Sequence, residues 1–245
     1  MDELGSITAF VCAHAVLGFG GGVLSTIAGM GGGIAMVALL SVLVGPHAAL
    51  ASTAPALLLG NAHRCFVFRD ALEPRITTAF VIGAIPGAAL GALFVGEVPA
   101  RVLTVALVLV TLFALARARG YFSIEPPAWA WTPFAFLAGV VAAGSGAGVM
   151  VAPALVAGGL LGRTLIATGA AIALAMHIGR VAGYGVAGLY EGAELWGSLG
   201  LAIGIITGNL YGVRLRARLG TEATDRATLY TLWGSLALAV LSLFR

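Results

Sequence analysis

Charged residues, prolines and glycines cut this chain into long apolar stretches, and none of them alternates apolar with polar positions as a half-buried strand does. The apolar blocks run Ile7–Ala28, Ile34–Val44, Ala48–Phe68, Ile76–Gly96, Val102–Ala116, Trp131–Ala143, Val149–Gly162, Thr164–Tyr190, Leu195–Val213 and Ala227–Phe244. A helix needs about 20 such residues to cross a bilayer, so the pattern predicts an all-α integral membrane protein of about eight to ten segments with no extramembrane domain. Two blocks are too short to cross. Ile34–Val44 has eleven residues and Val149–Gly162 fourteen, which at about 1.5 Å per residue falls short of about 30 Å of hydrocarbon. These are predicted half-helices.

Each short block follows a glycine cluster, Gly29-Met30-Gly31-Gly32-Gly33 in one half and Gly144-Ser145-Gly146-Ala147-Gly148 in the other, 115 positions apart. The same offset sets Thr53 on Thr168, and an offset of 116 sets Asn61 on His177 and Arg64 on Arg180. Slightly larger offsets set Gly87 and Gly91 on Gly208 and Gly212, and Arg101 on Arg226. An internal duplication, residues 1–120 and 121–245, accounts for these matches. If each Gly-broken pair is a hairpin that enters and leaves by one face, the loops holding Arg69, Arg75, Arg117, Arg119, Arg163, Arg214, Arg216, Arg218 and Arg226 share one side, as the positive-inside bias demands. Each repeat then has a Gly-broken re-entrant or half-helix hairpin plus three transmembrane helices. Five segments is an odd number, so the two repeats are inverted, and both termini are predicted outside a plasma (inner) membrane.

Composition sharpens this picture. Of the 245 residues 60% are hydrophobic and 9% charged, against roughly 45–50% and about 25% in a soluble domain. The net charge of +3 comes from thirteen basic residues, all arginine, and ten acidic ones. Those arginines sit in short loops between apolar runs, where they set membrane orientation, so nucleic acid is excluded as a partner. Cys12 and Cys65 lie in apolar blocks without a metal-ligand or disulfide pattern. The opening Met-Asp-Glu-Leu is acidic where a signal peptide is basic, so the first block is expected to remain in the membrane. No cofactor or metal is predicted.

Arg180 is the most informative residue, well inside the run Thr164–Tyr190 with His177 one turn earlier on the same face. An arginine at that depth costs at least about 2.5–3.5 kcal/mol, and no carboxylate lies inside any apolar block to offset it. A water-filled cavity, backbone carbonyls or a bound anion must do so, unless the side chain snorkels to an interface. The glycine clusters are the second signal. A half-helix starting at the membrane midplane aims free N–H groups inward, and glycine lets a ligand approach them. Gly31, Gly32 and Gly33 and their counterparts Gly146 and Gly148 are therefore candidate anion ligands. Ser52, Thr53 and Asn61 in one repeat, with Ser145, Thr168, His177 and Arg180 in the other, complete the candidate substrate-binding set. No catalytic motif is present. A Ser145–His177 intramembrane hydrolase and a channel-like anion pore are the alternatives to a carrier.

Several strings, in this order and spacing, resemble the TauE/SafE sulfite exporter family, the four-toluene-sulfonate uptake permeases. They are the block Gly29–Gly33 with its half-helix, the Gly45-Pro46-His47 turn leading into Ala51-Ser52-Thr53, Ile85-Pro86-Gly87-Ala88 with Gly91, the Val98-Pro99-x-Arg101 loop, and the basic position at Arg180. The resemblance covers nearly the whole chain. It implies an integral membrane carrier for small sulfur anions such as sulfite, thiosulfate or organosulfonates. The second glycine block departs from the pattern at Ser145 and Ala147, and no particular cargo carries over. An alternating-access carrier is the resulting expectation, with a small anion bound between the half-helix starts. The coupling ion, proton or sodium, and a homodimer both stay open.

Overall fold

The computed structural model describes residues 3–28, 31–121, 127–146, 148, 150–190 and 192–244. Among them are ten α-helices and no strand: α1 (Glu3–Ile27), α2 (Gly32–Val44), α3 (Pro46–Val67), α4 (Pro74–Phe94), α5 (Ala100–Ala118), α6 (Trp131–Ser145), α7 (Val151–Ala157), α8 (Gly162–Val186), α9 (Gly192–Arg216) and α10 (Thr221–Leu241). Six of these, α1, α4, α5, α8, α9 and α10, are long and apolar enough to cross a membrane. The predicted all-α membrane architecture is what the chain adopts.

The glycine breaks fall where the pattern placed them. Gly31 precedes α2 at φ +100 and Gly146 closes α6 at φ +74, a left-handed conformation that side chains with a Cβ resist. α2 has 13 residues, a half-helix as expected. The block Val149–Gly162 differs from its expectation, because the helix within it, α7, has only seven residues, Val151–Ala157. Gly158 and then Gly159, at φ +84, turn the chain out of α7.

Packing pairs helices from opposite halves: α1 lies along α9, α6 along α4, α3 against α8, and α5 against α10. Lipid gives no hydrophobic drive between helices, so close backbone approach carries the association. Glycines at every fourth position supply it. A Cβ at Gly204 would collide with the Ala15 carbonyl oxygen, and one at Gly87 with that of Phe136.

α3 and α8 are tied at both ends. Near the basic loops Arg163 on α8 pairs with Asp70, just past α3, at 2.9 Å. At the far side His47, in the first turn of α3, shares its Nε2 proton between the carbonyls of Val95 (3.2 Å) and Val98 (3.0 Å). There too Arg180, near the end of α8, reaches Leu50 near the start of α3. The two helices therefore run antiparallel. Pro46 starts α3 and Pro74 starts α4, where the missing N–H is no loss.

Candidate functional site

Two breaks in one core leave backbone without helical partners, and space opens beside them. A cavity of about 740 Å³ is lined by Gly31 and Gly33 from the first break and Gly146 and Gly148 from the second. The breaks adjoin, since a Cβ on Gly146 would strike Val37 of α2. Asn61 of α3 and His177 of α8 add polar groups to its wall. Its lining also holds Arg64, Arg117 and Arg216 against the single acid Asp225, a surplus of two positive charges. The Nε atoms of Arg64 and Arg117 are buried with no hydrogen-bond partner among the described residues. A buried donor without a partner is costly, so such groups favour an anion that supplies acceptors. A second hollow of about 510 Å³, between α1, α2 and α10, has no charged side chain in its lining.

Arg180 lies behind this cavity rather than on its wall, fully buried at 0% exposure. Its Nη1 donates to the Gly146 carbonyl at 3.2 Å and to His177 Nδ1 at 3.0 Å, Nη2 donates to the Leu50 carbonyl at 3.3 Å, and Nε donates to the Tyr184 hydroxyl at 3.2 Å. Tyr184 in turn donates to the Ala143 carbonyl. Backbone carbonyls are thus what offsets the charge, one of the three compensations expected from sequence. Gly146 and Ala143 belong to the C-terminal end of α6, whose dipole also favours a cation. The bond from Arg180 requires Nδ1 of His177 to be an acceptor, which places the ring proton on Nε2. His177 therefore offers the cavity an N–H donor.

The remaining sequence-predicted residues are not part of the cavity lining. A Cβ on Gly32 would lie 2.5 Å from the Ser25 backbone nitrogen. The Ser52 carbonyl accepts from Ser198 of α9, and Thr53 donates to the Ala49 and Leu50 carbonyls. Thr168 accepts the Glu73 N–H at 3.1 Å, tying α8 to the α3–α4 loop. Ser145 donates to the Val141 carbonyl, and His177 Nδ1 accepts from Arg180. Half of the twelve candidates, Gly31, Gly33, Asn61, Gly146, Gly148 and His177, share the cavity. Arg117, Arg216 and Asp225 were not among the candidates, and Arg64 entered only as the repeat partner of Arg180. Their signal in the sequence was limited to a basic loop, because the residues meet only through tertiary packing.

One feature relates the halves. Arg64 donates to Asn61 Oδ1, three residues back, as Arg180 donates to His177, three residues back. A family model for the sulfite exporter TauE/SafE matches residues 14–240. The chain belongs to the TauE/SafE sulfite exporter family. No curated protein matches it, and no solved structure does. With its six apolar helices, this TauE/SafE member is a multi-pass membrane protein of a transporter family.

Proposed function

We propose that the chain is a secondary transporter of small anions, with sulfur oxyanions or organosulfonates such as sulfite, thiosulfate or sulfoacetate as cargo. The observation that carries this reading is the cavity shared by both glycine breaks, where three arginines face one acid. Gly31, Gly33, Gly146 and Gly148 bring backbone close to the anion, and Asn61 and His177 orient it. Gly32, Ser52, Thr53, Ser145, Thr168 and Arg180 frame the site. Residues 1–120 and 121–245 act as inverted repeats, a reading supported by the exchange of partners between α1 on α9 and α6 on α4 and by the antiparallel run of α3 and α8. The basic loops lie in the cytoplasm and both termini outside the plasma (inner) membrane. Transport is by alternating access, coupled to a proton or sodium, in a monomer or homodimer.

Counterflow in proteoliposomes tests the proposal. Labelled thiosulfate or sulfite should enter faster when the unlabelled anion fills the far compartment. Flux without that stimulation would make the protein a pore. No flux and no rise in melting temperature with any sulfur oxyanion would overturn the substrate class.

A further inference from the structure

The two arginine–acceptor pairs differ in what surrounds them. α3 begins at Pro46 and α8 at Gly162, so equal depth in the two helices corresponds to an offset of 116 residues. By this register Arg64 matches Arg180 and Asn61 matches His177, and both pairs make the same bond. Arg180 goes on to donate to Gly146, Leu50 and Tyr184. Among the described residues Arg64 hydrogen-bonds only to Asn61, and its Nε is left buried without a partner. The counterparts of Arg180's partners are Gly31, which like Gly146 is left-handed, Ile166 in place of Leu50, and Phe68 in place of Tyr184. All three line the open cavity beside Arg64.

We propose that Arg64 and Arg180 exchange roles as the carrier turns over, an inference that rests on the transport reading and its inverted repeats. In the state described here the cavity opens toward the basic loops, Arg64 is free to meet the anion, and Arg180 closes the far side by bonding the second break. In the opposite-facing state Arg64 donates to the carbonyls of Gly31 and Ile166 and closes the basic side. Arg180 then leaves Gly146 and Leu50 and meets the anion from the other side. The His177 and Asn61 bonds persist throughout. Two matched elements in an inverted pair need only exchange conformations to move access from one face to the other. The lock at Arg64 lacks a hydroxyl, because Phe68 stands where Tyr184 stands in its partner. The state described here is therefore the favoured one.

Ala54, with 0% exposure, corresponds to Ala170 on the cavity wall. In a background lacking Cys12 and Cys65, Ala54→Cys should react with a membrane-impermeant thiol reagent only from the side opposite the basic loops, and only while that side is open. Phe68→Tyr adds the missing hydroxyl to one lock, and Tyr184→Phe removes it from the other. A hydrogen bond gained or lost in one of two states changes their ratio by about fivefold. Each variant should raise the labelling rate by about that factor, and the two together by more than either alone. A purely structural tyrosine would lower the melting temperature in Tyr184→Phe and leave Phe68→Tyr inert. Unchanged labelling in both variants, no labelling in any variant, or labelling from the basic side would overturn the exchange in a protein that still shows counterflow. Loss of counterflow in the parent would instead overturn the transport reading.

Discussion

Replacing Arg180 by methionine tests its role as a strut, since methionine keeps an unbranched apolar stem in buried space and removes the guanidinium. The guanidinium makes four hydrogen bonds, to Tyr184, Gly146, His177 and Leu50. At about 1.5 kcal/mol for each bond from a charged donor, their loss costs about 6 kcal/mol. Removing the buried charge returns about 2.5–3.5 kcal/mol of desolvation. The difference leaves Arg180→Met about 3 kcal/mol less stable, which for a chain of this size lowers the melting temperature by about 6–12 °C. Intrinsic-fluorescence melting of detergent-purified protein measures the shift. A variant melting at or above the parent would refute the strut, because buried ions that contribute little are often replaced by apolar residues with a gain in stability. Arg180→Lys should recover little of the loss, because one ammonium cannot reach acceptors in the directions that the planar fork spans.

Three further outcomes follow from the same contacts. His177→Asn should keep counterflow, with a rate flat from about pH 6 to about pH 8, because asparagine already plays this part at Asn61, accepting from Arg64; a rate that changes steeply with pH in the parent and flattens in the variant would instead make His177 the proton carrier. Arg64→Gln should raise the half-saturating concentration of thiosulfate about tenfold or more through loss of a charged contact, with less effect on the melting temperature than Arg180→Met, and equal affinity in parent and variant would remove Arg64 from the site. Gly204→Val and Gly87→Val should each abolish the monodisperse peak on size-exclusion chromatography, since the added carbons meet the backbone of Ala15 and Phe136, whereas Gly20→Ala, with open space around it, should elute as the parent does.

Long apolar runs made the membrane helices legible, since the bilayer imposes one length and one composition on each crossing. The half-helix at α2 and both breaks were readable from glycine clusters, because the left-handed turns at Gly31 and Gly146 call for glycine. The length of α7 was not, since apolar composition continues through Gly158 and Gly159 while the helix stops. Arg180 was legible from depth alone, but its partners are carbonyls, which every residue carries and no sequence distinguishes. Arg64, Arg117, Arg216 and Asp225 come from α3, α5, α9 and the first turns of α10, and their meeting at one cavity depends on how those helices pack. The four-residue glycine spacing in α4 and α9 was visible, yet it names a close contact without naming the partner.

The pairing of α1 with α9 and of α4 with α6 bears on how the protein is made. When α1 leaves the ribosome, the helix that fits its surface is still more than 160 residues from being synthesised. The N-terminal half must therefore wait in the bilayer with its complementary faces against lipid, and neither half is a finished folding unit by itself. Two separately expressed halves should be degraded when produced singly and should reconstitute a working protein when produced together.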